Sequence, residues 1–91
     1  MSAVRNNPAR NQFELEVDGY MAIAHYSLAP GVIAFTHTEV PPRSRGHGTA
    51  SRLIEGALAQ ARQQGVKVVP RCSFVVDYMA RHPEWQDLLA E

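Results

Sequence analysis

Residues 32–70 read VIAFTHTEVPPRSRGHGTASRLIEGALAQARQQGVKVVP, and this stretch decides the fold. Val32 to Val40 is β-branched and aromatic, the composition of a strand. Pro41-Pro42 stops it, because proline donates nothing to a ladder. Arg43 to Gly48 is basic and glycine-rich. Then Ala50, Leu53, Ile54, Ala57, Leu58 and Ala61 recur at i, i+3, i+4, i+7, i+8 and i+11, one apolar stripe on a helix of about four turns. Gly65 stands where a left-handed helix end belongs, and Val66 to Pro70 is a short apolar strand. Strand, loop, helix and strand in this order form a crossover, which sets the second strand parallel to the first.

On the N-terminal side, Phe13, Leu15 and Val17 alternate with Glu14, Glu16 and Asp18, the period of a half-buried strand. Asp18-Gly19 is a hairpin turn, Tyr20 to Leu28 a second strand, and Ala29-Pro30-Gly31 the turn that closes it. A three-stranded antiparallel meander therefore precedes the crossover. On the C-terminal side, Ser73 is expected to cap a helix whose apolar face is Phe74, Val75, Tyr78 and Met79. His82-Pro83 ends that helix, and Pro83 starts a short last turn, Glu84 to Ala90. The expected fold class is α/β (α+β): meander, helix, parallel strand, C-terminal helix. Residues 1–12 are polar and expected as a flexible leader, and residues 13–91 as a single domain.

Composition narrows the function. Ninety-one residues leave no room for a second core. With 45% hydrophobic and 20% charged residues the chain has the make-up of a folded domain. No apolar run has transmembrane length, and Met1 to Gln12 lacks the apolar centre of a signal peptide, so no membrane partner is expected. The single cysteine, Cys72, excludes an internal disulfide and points to a reducing, cytoplasmic setting. Cys72 and four scattered histidines show no ligand spacing, so no metal is expected. Nine basic residues balance nine acidic ones, which argues against a general nucleic-acid binder. The charges are uneven, however. Arg43, Arg45, Arg52, Arg62, Lys67, Arg71 and Arg81 face only Glu55 and Asp77 within residues 41–81, a balance suited to a small anionic ligand.

The loop Arg43 to Gly48 is the natural place for that anion. Its glycines let the backbone approach closely, and the helix start that follows presents unpaired N–H groups and a positive dipole end, a seat for a pyrophosphate. Arg43 and Arg45 add charge, and His47 lies within the loop. A tight strand-to-helix turn without a ligand is the alternative reading. The spacing fits neither the P-loop nor the dinucleotide fingerprint. Cys72 falls at a strand end, before a helix and beside Arg71; helix N-termini and cations both lower a thiol pKa. It is a nucleophile, a site-lining thiol without reactivity, or a core residue. His37 and Glu39 share a strand face, and if that face meets Cys72, His37 is a candidate general base. An exposed strand histidine and a solvated carboxylate are the alternatives. His82 follows Tyr78 at i+4 and reads as a helix-end group in contact with it; Trp85 reads as a core anchor.

Arg43-x-x-Gly46-x-Gly48 resembles the (Gln/Arg)-x-x-Gly-x-(Gly/Ala) signature of GNAT-superfamily N-acetyltransferases. The closer resemblance is to their small, single-domain members. Three stretches carry it: Thr36 to Val40, the RGHG loop with its helix, and Pro70-Arg71-Cys72-Ser73-Phe74-Val75 running to Tyr78 and Arg81-His82-Pro83-Glu84-Trp85. The resemblance implies an acetyl-CoA-dependent N-acyltransferase with coenzyme A as cosubstrate, no metal and an amine acceptor. It implies a coenzyme site made of Val40, Arg43, Arg45, Gly46, His47, Gly48, Thr49, Ala50 and Ser73, with the pantetheine arm in a splay between the strands of the crossover. It permits an acetyl-Cys72 intermediate and a Tyr78 that protonates the departing thiolate. The N-terminal helices that wall the acceptor pocket in larger members have no room here. The acceptor side is then open, or completed by a second subunit or by the substrate, in a monomer or weak homodimer. The rival readings are a coenzyme A or acyl-CoA binding module without transfer, and a small interaction domain with an empty loop.

Overall fold

The computed structural model describes residues 3–42 and 48–90. One sheet of five strands forms its frame: β1 (Arg5–Asn7), β2 (Gln12–Val17), β3 (Tyr20–Ala29), β4 (Val32–Glu39) and β5 (Lys67–Pro70), in that spatial order. β1 to β4 pair antiparallel, and β5 joins β4 in parallel after the crossover through α1 (Thr49–Gln64). α2 (Ser73–Arg81) follows, then a 3-10 segment Pro83–Leu88. The expected class and the parallel crossover are both present.

Within the residues read as a leader the structure adds an edge strand. β1 pairs with β2, and a 3-10 turn, Pro8–Arg10, links them through Asn11 in the left-handed region. Val4 enters the core, and Asn6 accepts the Tyr26 hydroxyl at 2.6 Å. The antiparallel part thus has four strands rather than three. A three-residue strand of polar residues shows no hydrophobic period, and pairing rather than sequence defines it.

Both helices contribute to one core. Phe13, Leu15, Ala22, Ala24, Tyr26, Ile33 and Phe35 line one sheet face and meet Leu53, Ile54, Ala57, Leu58 and Ala61 of α1 and Val75, Tyr78 and Met79 of α2. The apolar stripe of α1 lies where its period puts it, and Gly65 closes the helix at φ 73°, in the left-handed region. Among the described residues, no helix covers the other sheet face, which presents Glu14, Glu16, Met21, Ile23, His25, His37 and Glu39. No helix among them is long and apolar enough to cross a membrane.

A bulge in β4 decides what faces the core near the end of the strand. Tyr26 pairs with Phe35, but His25 pairs with His37, so Thr36 is one extra residue on β4. Phe35 and Thr38 therefore both point to the helix side, opposite Tyr26 and Ala24. His37 and Glu39 point to the open side, opposite His25 and Ile23.

Candidate functional site

β5 pairs with β4 only from Val32 to Phe35, while β4 runs on to Glu39. The two strands part at Phe35. Its carbonyl accepts the N–H groups of Arg71 at 2.9 Å and Cys72 at 3.0 Å, and the chain then turns away into α2. Among the described residues, this leaves the β4 edge beyond Phe35 without a strand beside it, at the foot of α2. The expected splay is present as a divergence of β4 from β5.

Cys72 sits at that fork. It is half-buried, packs against the core and occupies the N-cap of α2. Ser73, expected as the cap, is instead the exposed first residue of the helix, one place too late to cap it. The Cys72 Sγ lies 3.4 Å from the Thr38 Oγ1. Burial pushes the thiol pKa up, but the Thr38 hydroxyl and the backbone N–H groups of Val75, Phe74 and Thr38 outweigh it, holding the thiol below its ordinary 9.0. None of those helix amides reaches full capping geometry to sulfur, so they act as oriented dipoles around a half-buried thiol.

The coenzyme-loop candidates divide. Arg43, Arg45, Gly46 and His47 lie outside the described residues. Gly48 stands at the start of α1 at φ 73°, with nothing within 4 Å of where a Cβ would be. It offers no side chain to cap the helix, whose first intrahelical bond runs from the Arg52 N–H to the Gly48 carbonyl at 3.0 Å. Thr49 is 1% exposed and anchors this helix start in the protein; Ala50 is half-buried. The unpaired N–H groups and positive dipole end of this helix start suit an anion such as a pyrophosphate. Val40 is half-buried against the core, just after β4.

The structure does not bring His37 to Cys72. The bulge at Thr36 turns His37 to the opposite sheet face, where its Nε2 is 3.2 Å from Glu39 Oε2 and its ring stacks with His25 at 5.9 Å. The same Glu39 oxygen lies 3.7 Å from His25 Nε2. Thr38, to which the sequence assigned no role, takes the place beside the thiol. Nothing in the sequence marks the bulge that puts it there.

Tyr78 is buried in the core. Its ring stacks on His82 at 4.0 Å, and the His82 Nδ1 lies 2.8 Å from the Tyr78 carbonyl oxygen, so the expected helix-end contact is present. Burial first, and the Glu55 carboxylate second, raise the phenol above 10.0, so it stays protonated. Its hydroxyl is directed toward Trp85, whose buried Nε1 still finds no hydrogen-bond geometry. Trp85 is a core anchor, as read from the sequence, with Arg62 stacked on its ring at 4.6 Å. Among the described residues no cluster of His, Cys, Asp or Glu could hold a metal.

Comparisons with known proteins agree with this architecture. Residues 12–88 match the profile of a family described as GCN5-related N-acetyl-transferase. The chain is 28% identical over 83 residues to Protein NATD1 of Mus musculus, covering 88% of this chain and 76% of the mouse protein. It is also similar to the solution structure of a GCN5-like protein from Staphylococcus aureus, with a TM-score of 0.69 and 22% identity, over 99% of this chain and 91% of the other.

Proposed function

This chain belongs to the GCN5-related N-acetyltransferase family, and from that premise we propose that it transfers an acetyl group from acetyl-CoA to an amine through Cys72. The observation that carries the proposal is the Cys72 thiol at the fork of β4 and β5, 3.4 Å from the Thr38 hydroxyl and held below its ordinary pKa. A thiolate in that place is a nucleophile.

In this reading the pyrophosphate rests on the start of α1 at Gly48, Thr49 and Ala50, with Arg43, Arg45, Gly46 and His47 completing the cradle. Val40 and Ser73 border the pantetheine arm, which lies along the open edge of β4. The Cys72 sulfur attacks the thioester carbonyl carbon. A bond from Sγ to the acetyl carbon forms, the bond from that carbon to the coenzyme sulfur breaks, and the coenzyme leaves as its thiolate. The acceptor arrives as an ammonium and loses one proton to bulk water. Its nitrogen then attacks the acetyl carbon, the bond to Sγ breaks, and Cys72 returns as thiolate. The second amine proton balances the coenzyme thiolate. The Thr38 hydroxyl donates to the sulfur in its anionic state at both ends of the cycle. Tyr78 serves as packing, because its phenol is buried and directed toward Trp85.

Alkylation of the full-length protein tests this reading. Cys72 reacts with iodoacetamide at neutral pH, and saturating coenzyme A slows the reaction. A Cys72 that alkylates at the same rate with and without coenzyme A removes it from the site.

A further inference from the structure

β4 presents Thr38 to Cys72 in one register only. With Thr36 bulged out, His25 pairs with His37, and Thr38 falls opposite Ala24 on the helix side. Without the bulge, His25 would pair with Thr36, and every later residue of β4 would change face. Thr38 would then lie opposite Ile23, on the open side, and leave the sulfur. Two of the four groups that lower the thiol pKa belong to Thr38, its hydroxyl and its backbone N–H. The others are the amides of Phe74 and Val75, and all four are neutral. The reactivity of Cys72 therefore hangs on the bulged register.

Among the described residues no strand pairs with β4 on its β5 side beyond Phe35, so the register there is set from β3. Three side chains on the open face bridge these two strands. The His25 and His37 rings face each other at the pair next to the bulge, stacked at 5.9 Å with 17° between their planes. One Glu39 oxygen lies 3.2 Å from His37 Nε2 and 3.7 Å from His25 Nε2. The Thr36 hydroxyl donates to the His25 carbonyl at 3.4 Å. From β2 the group meets Gln12, opposite His25, and Glu14, opposite Ile23. The grouping exists only in the bulged register. Without the bulge, His37 and Glu39 would turn to the helix side while His25 stayed on the open one.

We infer that His25, His37 and Glu39 form a latch that holds the bulge of β4 and so keeps Thr38 beside the Cys72 sulfur. They are positioning residues: they lie on the sheet face opposite the thiol and act through the register of Thr38. This rests on the Cys72 reading above and adds to it the residues that keep the thiol's partner in place. Contacts made in one register and lost in the other shift the balance toward the first by their difference. The latch is exposed, so its hold is modest, as for surface ion pairs in general.

Alkylation of the full-length protein by iodoacetamide, followed against pH, tests the latch without acetyl-CoA. His25 and Glu39 both face solvent, so neither substitution opens the core. Glu39→Ala and His25→Ala each move the midpoint upward and slow alkylation at neutral pH by roughly two- to threefold, the scale of one exposed pair. The sign separates position from charge. If the Glu39 carboxylate acted on the thiol by its charge alone, its loss would move the midpoint down. Acting through Thr38, its loss moves the midpoint up. In a Thr38→Val background the same two substitutions add much less, because the hydroxyl that they position is gone. Opposite shifts in the two variants, no shift in either, or full additivity with Thr38→Val overturns the latch and leaves the acetyltransferase reading in place. Absence of acetyl transfer by the wild type overturns that reading alone, since the alkylation shifts do not depend on it.

Discussion

The Cys72 sulfur lies 3.4 Å from the Thr38 hydroxyl, across the gap where β4 outruns β5. That hydroxyl is the foremost group opposing burial at the thiol and holding its pKa down. Replacing Thr38 with Val removes the donor at nearly constant volume, so the thiol pKa rises and less thiolate is present at neutral pH. The midpoint of alkylation rate against pH moves upward, and kcat falls by the same cause. Thr38→Ser restores both. An unchanged alkylation profile in Thr38→Val would show that the hydroxyl does not act on the sulfur.

Gly48 and Gly65 share a φ of 73°, and at each a Cβ would meet nothing within 4 Å. Alanine at either position is therefore opposed by backbone strain alone, about 1 kcal/mol. For a domain of this size each substitution lowers Tm by roughly 4–8 °C per kcal/mol. The two should differ in ligand binding. Gly48→Ala weakens coenzyme A in calorimetry, and Gly65→Ala, at the far end of α1, does not. Equal affinity in both variants would remove Gly48 from the cradle.

Glu14 gives the protein an acid-side dependence. The Asn7 amide, then the Gln12 amide, lower its pKa below the ordinary 4.5. A carboxylate whose pKa is depressed on folding contributes stability above its unfolded pKa, and that contribution is lost as pH falls through the folded one. Tm should therefore fall more steeply below pH 4.5 in wild type than in Glu14→Gln. Parallel curves for the two proteins would contradict the hydrogen-bonded carboxylate.

The C-terminal segment is strapped down by Arg62. Its guanidinium stacks on Trp85, donates to the Glu84 carbonyl at 2.8 Å and pairs with Asp87. The pair is exposed and worth little by itself, so Asp87→Asn costs under about 1 kcal/mol. Arg62→Ala loses the ring contact and the backbone acceptor as well, and costs roughly 1–2 kcal/mol. Denaturant titration of the two variants separates these contributions; equal losses would mean that the ring contact and the Glu84 acceptor add nothing to the ion pair.

Most of the frame was legible because periodicity reports burial. The stripe of α1, the alternation of β2 and the glycine at position 65 each have one physical reading, and the structure has them. The site was legible only in part. Cys72 at a helix start follows from its place between Pro70 and the apolar face of α2. The orientation of His37 does not follow: counting by twos from Phe35 puts it on the core face, and the extra residue at Thr36 turns it to the open face. β1 escaped notice for a related reason, since its three polar residues are a strand only by virtue of their partners on β2.

The central claim is that the acetyl group passes through Cys72. Mixing the protein with acetyl-CoA in the absence of acceptor, removing the coenzyme and measuring intact and peptide masses tests it directly. The account predicts one acetyl group on the peptide that contains Cys72, its loss on addition of an amine, and no such species in Cys72→Ser. A protein that carries no acetyl group on Cys72, together with a Cys72→Ser variant that turns over as fast as wild type, would contradict it.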